Sequence, residues 1–215
     1  MSTEPTTVIP HWIDGARRVS THGRTAPVYN PATGEVQAHV ALADEAEIAE
    51  AIASAHAGFL LWSEFSIAKR QTIIFKFREL LNARKGELAE IITAEHGKVV
   101  SDAMGEILRG QEVVELATGF PHLIKGAFSE NASTGIDVYS MRQPLGVVAG
   151  ITPFNFPAMI PLWKMGPALA AGNSFILKPS ERDPSVPLRI AELFLEAGLP
   201  AGVLNVVNGD KEAVD

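Results

Sequence analysis

The chain has 215 residues, with 18 Lys and Arg against 25 Asp and Glu (net charge −7) and 47% hydrophobic residues. That composition describes a globular protein long enough for a sizeable core and disfavours non-specific binding to nucleic acid or to an anionic membrane. The absence of cysteine excludes a disulfide scaffold, a thiolate zinc site, an iron–sulfur cluster and a cysteine nucleophile within these residues.

In chain order, Met1 to Pro10 is polar and carries Glu4, so it reads neither as a signal peptide nor as an arginine-rich transit peptide. No apolar run reaches the roughly 18 residues of a membrane span. A soluble, cytoplasmic protein is expected. The dipeptide Asp14-Gly15, set between His11-Trp12-Ile13 and Ala16, signals a hairpin. A second strand pair, Ala26 to Tyr29 and Glu35 to Val40, is joined by the turn residues Asn30-Pro31-Ala32-Thr33-Gly34.

From Asp44 the pattern turns helical. Asp44 and Glu47 form a capping pair, and Ile48, Ala51, Ile52, Ala55 and Phe59 an apolar stripe. A second helix is expected from Ser66 with Ile73, Phe77, Leu80 and Leu81 on one face. A third follows with Leu88, Ile91 and Ile92, ended by Gly97 in a left-handed cap. A fourth, from about Ser101 to Ala117, turns Met104, Ile107, Leu108 and Val114 inward. Pro121 and Gly126 interrupt the helices, and Ile136 to Tyr139 alternates like a strand in a protruding hairpin.

Beyond Gly146 the order becomes β-α-β-α-β. Val147 to Ile151 is a continuous apolar run of the kind expected of a doubly covered parallel strand. A helix from about Phe156 to Ala171, strand Ser174 to Lys178, helix Val186 to Ala197 and strand Val203 to Val207 follow. Right-handed crossovers then give a parallel sheet of three strands, a poor layer by itself, and the chain reads as cut in mid-fold.

Ligands of open α/β sheets collect at the carboxyl ends of the strands. Here those ends are Thr152 to Pro157, Lys178 to Asp183 and Asn208 to Asp210. Pro153 and Pro157 stiffen the first, so Asn155 either caps the next helix or holds its amide toward a developing oxyanion. In the second, Glu181 and Lys178 suit the hydroxyls of a ribose, or else pair at a solvated surface. No Gly-x-Gly-x-x-Gly fingerprint or phosphate loop occurs. The six histidines have no ligand spacing, so surface or capping roles and no metal site are expected. Arg109 sits on a helix, where a solvated pairing role is the ordinary one.

Several ordered motifs carry a resemblance: Tyr29-Asn30-Pro31-Ala32-Thr33-Gly34-Glu35, Glu95-His96-Gly97-Lys98, Pro144-Leu145-Gly146-Val147, Pro153-Phe154-Asn155-Phe156-Pro157, Leu169-Ala170-Ala171-Gly172-Asn173 and Lys178-Pro179-Ser180-Glu181. From about Trp12 onward the chain resembles the N-terminal part of the aldehyde dehydrogenase superfamily, covering less than half of a typical member. Phe154 through Trp163, together with Lys178 to Arg182, is most similar to the CoA-acylating methylmalonate-semialdehyde dehydrogenase branch.

The resemblance implies an α/β fold with N-terminal hairpins and helices over 1–124, a protruding oligomerisation segment over 125–144 and the first half of a Rossmann-like NAD-binding sheet over 145–215, without the catalytic domain. It implies NAD-dependent oxidation of a small aldehyde through a cysteine thioester, with (methyl)malonate semialdehyde as substrate and coenzyme A as acyl acceptor. Asn155 matches the oxyanion-hole asparagine. Thr152, Phe154, Lys178, Glu181 and Arg182 match cofactor-contacting positions, and Arg109 matches an arginine that holds the substrate carboxylate. Glu181 favours NAD over a 2′-phosphorylated cofactor, although Lys178 and Arg182 would attract that phosphate. Assembly as a homodimer or homotetramer through 125–144 is implied as well. The cysteine nucleophile lies outside these residues, so the 215 residues alone are expected to be inactive. An ordinary hydrolytic aldehyde dehydrogenase, or a non-catalytic cofactor-binding or assembly module, is the alternative.

Overall fold

The computed structural model describes residues 7–214. Local chemistry sets the first elements. After β1 (Val8–Ile9), strands β2 (His11–Ile13) and β3 (Ala16–Arg18) close on Asp14 and Gly15, whose φ values of 54° and 72° are the paired positive angles of a tight hairpin turn. Strands β4 (Thr25–Asn30) and β5 (Glu35–Ala41) pair antiparallel, and the turn between them is held by the Gly34 N–H donating to the Asn30 carbonyl at 2.8 Å. With β1 they form a three-stranded sheet ordered β1-β5-β4.

Helix α1 (Glu45–Ser63) starts with the expected capping box: Asp44 accepts from the Glu47 N–H, and the Glu47 side chain accepts from the Asp44 N–H. Its buried face is Ala51, Ala55, Gly58 and Trp62, whereas Ile52 is half exposed. The expected second and third helices are one helix, α2 (Ile67–His96), capped by Ser66 and ended by Gly97 at φ 85°. The polar stretch from Asn82 to Glu87 does not break it. Leu81 and Leu88 are seven residues apart, two helical turns, so the apolar face stays in phase across the stretch. Helix α3 (Val100–Thr118) buries Ala103, Glu106, Ile107, Gly110 and Val114 and leaves Leu108 exposed, against expectation. A short α4 (Phe120–Leu123) leads to the exposed hairpin of β6 (Phe128–Ser133) and β7 (Ile136–Tyr139).

The main sheet has five strands rather than three, ordered β3-β2-β10-β9-β8. Strands β8 (Val147–Ile151), β9 (Ser174–Lys178) and β10 (Leu204–Val206) are parallel, linked by α5 (Met159–Ala170) and α6 (Ser185–Glu196). The N-terminal hairpin completes the layer, β2 pairing antiparallel with β10 at Trp12 and Val206. Among the described residues β8 lies at the sheet edge with Ile151 53% exposed, so these residues do not doubly cover its apolar run. The main core lies between the sheet and the packed helices. There Phe77 of α2 stacks on Phe194 of α6 with ring centroids 3.5 Å apart, and the Trp62 indole N–H donates to the Leu169 carbonyl at 2.9 Å. His11 is fully buried, contrary to the expected surface role. Its Nδ1 accepts from the Asn208 N–H at 3.1 Å, and burial holds its pKa below the ordinary value despite Glu47 nearby.

Gly58 packs α1 against the backbone that leads into β10. A β-carbon there would lie 2.6 Å from the Val203 nitrogen and 2.7 Å from the Gly202 carbonyl oxygen, both backbone. Alanine favours a helix interior over glycine by roughly 0.5–1 kcal/mol. Overpacking against immovable backbone costs about 1–3 kcal/mol. Gly58→Ala is therefore expected to lower the denaturation midpoint of the protein; an increase would show that α1 slides away freely.

Candidate active site

The parallel register brings the tips of β8 and β9 together. Ile151 lies opposite Lys178, and the Thr152 N–H donates to the Lys178 carbonyl at 3.1 Å. At these tips the Lys178 ammonium and the Glu181 carboxylate are 3.3 Å apart, Lys178 being the more buried of the two. Thr152 is buried, and its hydroxyl has no partner among the described residues. The solvated-pair reading of Lys178 and Glu181 thus fits only the glutamate, which keeps 38% of its side chain exposed.

The loop after β8 borders two clefts. One, of about 560 Å³, is lined by Lys98, Glu106, Arg109, Asn155 and Phe156 among others. The second, of about 500 Å³, has Glu95, Arg182 and Asp183 in its wall. Phe154 and His96 border both, their rings 6.4 Å apart, and the Arg182 guanidinium sits 4.9 Å from the Phe154 centroid. Arg109 and Asn155, one from α3 and one from the bend, therefore share a cleft. The Trp163 indole N–H donates to the Arg109 carbonyl at 3.2 Å, tying α5 to the turn of α3 that carries the arginine. Lys178, Glu181 and Thr152 stand outside the lining of both clefts, at the neighbouring strand tips.

Asn155 does not cap the next helix. Helix α5 begins at Met159 without a capping side chain of its own. Its first amides, those of Ala158 and Met159, donate instead to Glu106 Oε1 at 2.7 and 3.1 Å. The Asn155 side chain is exposed to the cleft and makes no hydrogen bond among the described residues.

Glu106, Asp183 and Glu95 were not legible as site residues. Glu106 gave one sign, an acid on the inward stripe that runs through Ala103, Ile107, Gly110 and Val114. Asp183 is 2% exposed, and its carboxyl is pushed up to about 8, first by burial and then by the charges of Glu95 and Glu106. Neither of its oxygens makes a well-formed hydrogen bond, and Ser180 offsets the shift only weakly. Burial likewise raises Glu95, which accepts the Ser185 N–H at 3.0 Å. His96 is lowered by burial and by Lys98.

Parallel strands linked by helices, with charges at the strand tips beside a cleft that holds an arginine and an asparagine, define an open α/β-layer protein. The aldehyde dehydrogenase family model matches residues 18–215, and the chain belongs to that family. Among relatives, a malonate-semialdehyde dehydrogenase of Pseudomonas aeruginosa is 54% identical over 205 residues, which is 95% of this chain and 41% of the relative. Malonate-semialdehyde dehydrogenase 2 of Geobacillus thermodenitrificans is 48% identical over 98% of the chain and 44% of its own length. A solved structure from Sinorhizobium meliloti, provisionally assigned as a methylmalonate-semialdehyde dehydrogenase and complexed with NAD, superposes with a TM-score of 0.97 at 56% identity over 99% of this chain and 43% of that one. A methylmalonate-semialdehyde dehydrogenase from Oceanimonas doudoroffii gives a TM-score of 0.95 at 52% identity, covering 98% and 43%. The chain thus spans less than half the length of these relatives. Among the described residues no helix is long and apolar enough to cross a membrane.

Proposed function

We propose that this chain is the cofactor-side portion of a cytoplasmic, NAD-dependent semialdehyde dehydrogenase that converts malonate or methylmalonate semialdehyde to an acyl-CoA with loss of CO2. The observation that carries the reading is the cleft shared by Arg109 and Asn155, a cation and a free amide lining one space. The guanidinium matches the planar fork of a carboxylate, and a semialdehyde of this class carries a carboxylate beside its reacting carbonyl. The Asn155 amide would then donate to the oxygen on which charge develops.

The residues at the strand tips fit a dinucleotide sugar. Lys178 donates and Glu181 accepts on a pair of hydroxyls, and the unpartnered Thr152 hydroxyl offers a further donor alongside. When bound, the nicotinamide supplies the hydride acceptor. Arg182, stacked on Phe154, would close the side of the site next to the sugar. None of the 215 residues is a cysteine, so the nucleophile of this reaction must come from elsewhere in the whole protein.

The test is NADH formation by the whole protein with malonate semialdehyde, with and without coenzyme A. Turnover that requires coenzyme A supports the reading. CoA-independent turnover to a free acid would assign an ordinary hydrolytic aldehyde dehydrogenase instead.

We further propose that the β6–β7 hairpin joins a neighbouring copy. All of its residues are exposed, including the apolar Phe128, Ile136, Val138 and Tyr139, and an isolated two-stranded ribbon is only marginally stable in water. Proline at 138 removes a ladder donor. Val138→Pro is expected to shift sedimentation of the whole protein toward smaller species, and an unchanged sedimentation coefficient would count against the hairpin.

A further inference from the structure

We propose that Lys98 and Glu106 are positioning residues that hold Asn155 at a fixed distance from Arg109; the proposal rests on the semialdehyde reading above. The start of α5 leaves amide N–H groups that need acceptors. Its N-cap, Ala158, supplies no side chain for them, and Glu106 of α3 accepts two through Oε1. A carboxylate there also meets the favourable end of the helix dipole.

That carboxylate is almost completely buried, and a buried charge without a partner is strongly unfavourable. Lys98 answers it, its ammonium donating to Glu106 Oε2 at 2.6 Å. An ammonium has three donors. A second donates to the Asn155 backbone carbonyl at 2.9 Å, while the charge lies 4.7 Å from the Phe156 ring centroid.

The consequence is a mechanical link. The bend that presents the Asn155 amide is tied downstream through Ala158 and Met159, and at Asn155 itself through Lys98, to a single carboxylate on α3. Arg109 lies three residues further along that helix, on the adjacent turn. The group that would hold the substrate carboxylate and the group that would hold its reacting oxygen are therefore set by one rigid element. Pro153 and Pro157 limit the backbone paths open to the bend but attach it to nothing, and the lysine–glutamate couple supplies the attachment.

The experiment is a double-mutant cycle between Lys98→Met and Asn155→Ala in the whole protein, read as kcat for malonate semialdehyde, with NAD affinity measured separately by binding. Lys98→Met alone is expected to lower kcat about tenfold, short of the roughly 10²-fold that a 1 Å misplacement can cost. It should change NAD affinity far less than kcat, because Lys178 and Glu181, which would hold the sugar, are not touched. In the Asn155→Ala background the same substitution should have little further effect, since residues acting through one group are not additive. Lys98→Arg, which keeps the charge and the donors, should recover most of the activity.

The same fold loss in both backgrounds, or no loss in either, overturns the link. A fall in NAD affinity parallel to kcat also overturns it, as general loosening of the domain. An Asn155→Ala protein with full kcat removes the oxyanion reading itself and the link with it, an outcome separable from the others.

Discussion

Asn155→Ala in the whole protein is expected to lower kcat for malonate semialdehyde by about 10²–10³, or roughly 3–4 kcal/mol, the cost of removing one oxyanion donor from a water-excluded site. The folded state gives a reason to assign that loss to chemistry rather than to stability. An asparagine lost from a helix cap costs typically about 1 kcal/mol of stability and little else. Here the cap is Glu106, whose oxygen takes the first two amides of α5, so the Asn155 side chain supports no local structure among the described residues. The variant should accordingly unfold within a few tenths of a kcal/mol of the parent and bind NAD as tightly. Loss of transition-state stabilisation lowers kcat and kcat/KM together, whereas a pure substrate anchor raises KM. On the proposed reading Arg109 would be of the second kind, so the two residues of the shared cleft should separate cleanly in a kinetic comparison. An Asn155→Ala protein that is destabilised yet turns over normally would return the residue to a structural role.

The parts of the fold that were legible are those whose chemistry is local. Asp14-Gly15 requires two positive φ angles and has them; Asp44 with Glu47, Ser66 and Gly97 mark helix ends within one turn of themselves. The β-α-β-α-β alternation announced that β8, β9 and β10 would be parallel without knowledge of any contact. Where expectation failed, the deciding partner was distant. Polar residues between Leu81 and Leu88 resemble a loop until the phase of the two leucines is compared, and Ile52 and Leu108 resemble core until the neighbouring surfaces are placed. Nothing near Trp12 announces that its strand will pair with Val206.

The candidate site divides in the same way. Asn155, Lys178 and Glu181 stand at strand ends, where a general rule points, and the register of β8 with β9 brought their segments together. Arg109 was visible only through family resemblance, since a helical arginine has no distinguishing pattern. Glu106 and Asp183 escaped notice because an acidic side chain reads as solvated in sequence. Only the docking of the 152–158 bend onto α3, and of the segment after β9 against α2, removes them from water.

Asp183 carries the largest consequence for stability. Its carboxyl titrates at about 8 in the folded protein against an ordinary value of 3.8, with burial the first cause and the charges of Glu95 and Glu106 next. Between those values the folded state keeps a proton that the unfolded chain has lost. Unfolding then releases that proton, and the stability associated with Asp183 is full below pH 4 and falls steadily as pH rises toward 8. Above 8 the folded carboxyl ionises too, and the slope from this group flattens. About 4 pH units at roughly 1.4 kcal/mol each set a ceiling on the order of 5 kcal/mol. Asparagine has nearly the shape of the protonated acid and cannot ionise. Asp183→Asn should therefore be close to neutral at pH 4 and progressively stabilising above it, by at least about 2 kcal/mol at pH 8. A series of urea denaturation midpoints between pH 5 and 8.5 for parent and variant measures this directly. A difference between the two proteins that does not change with pH over this range would mean that the carboxylate is already ionised in the folded protein. The cation that acts on this carboxyl argues against that outcome, because Lys98 commits its ammonium to Glu106 and to the Asn155 carbonyl and leaves both Asp183 oxygens without a well-formed hydrogen bond.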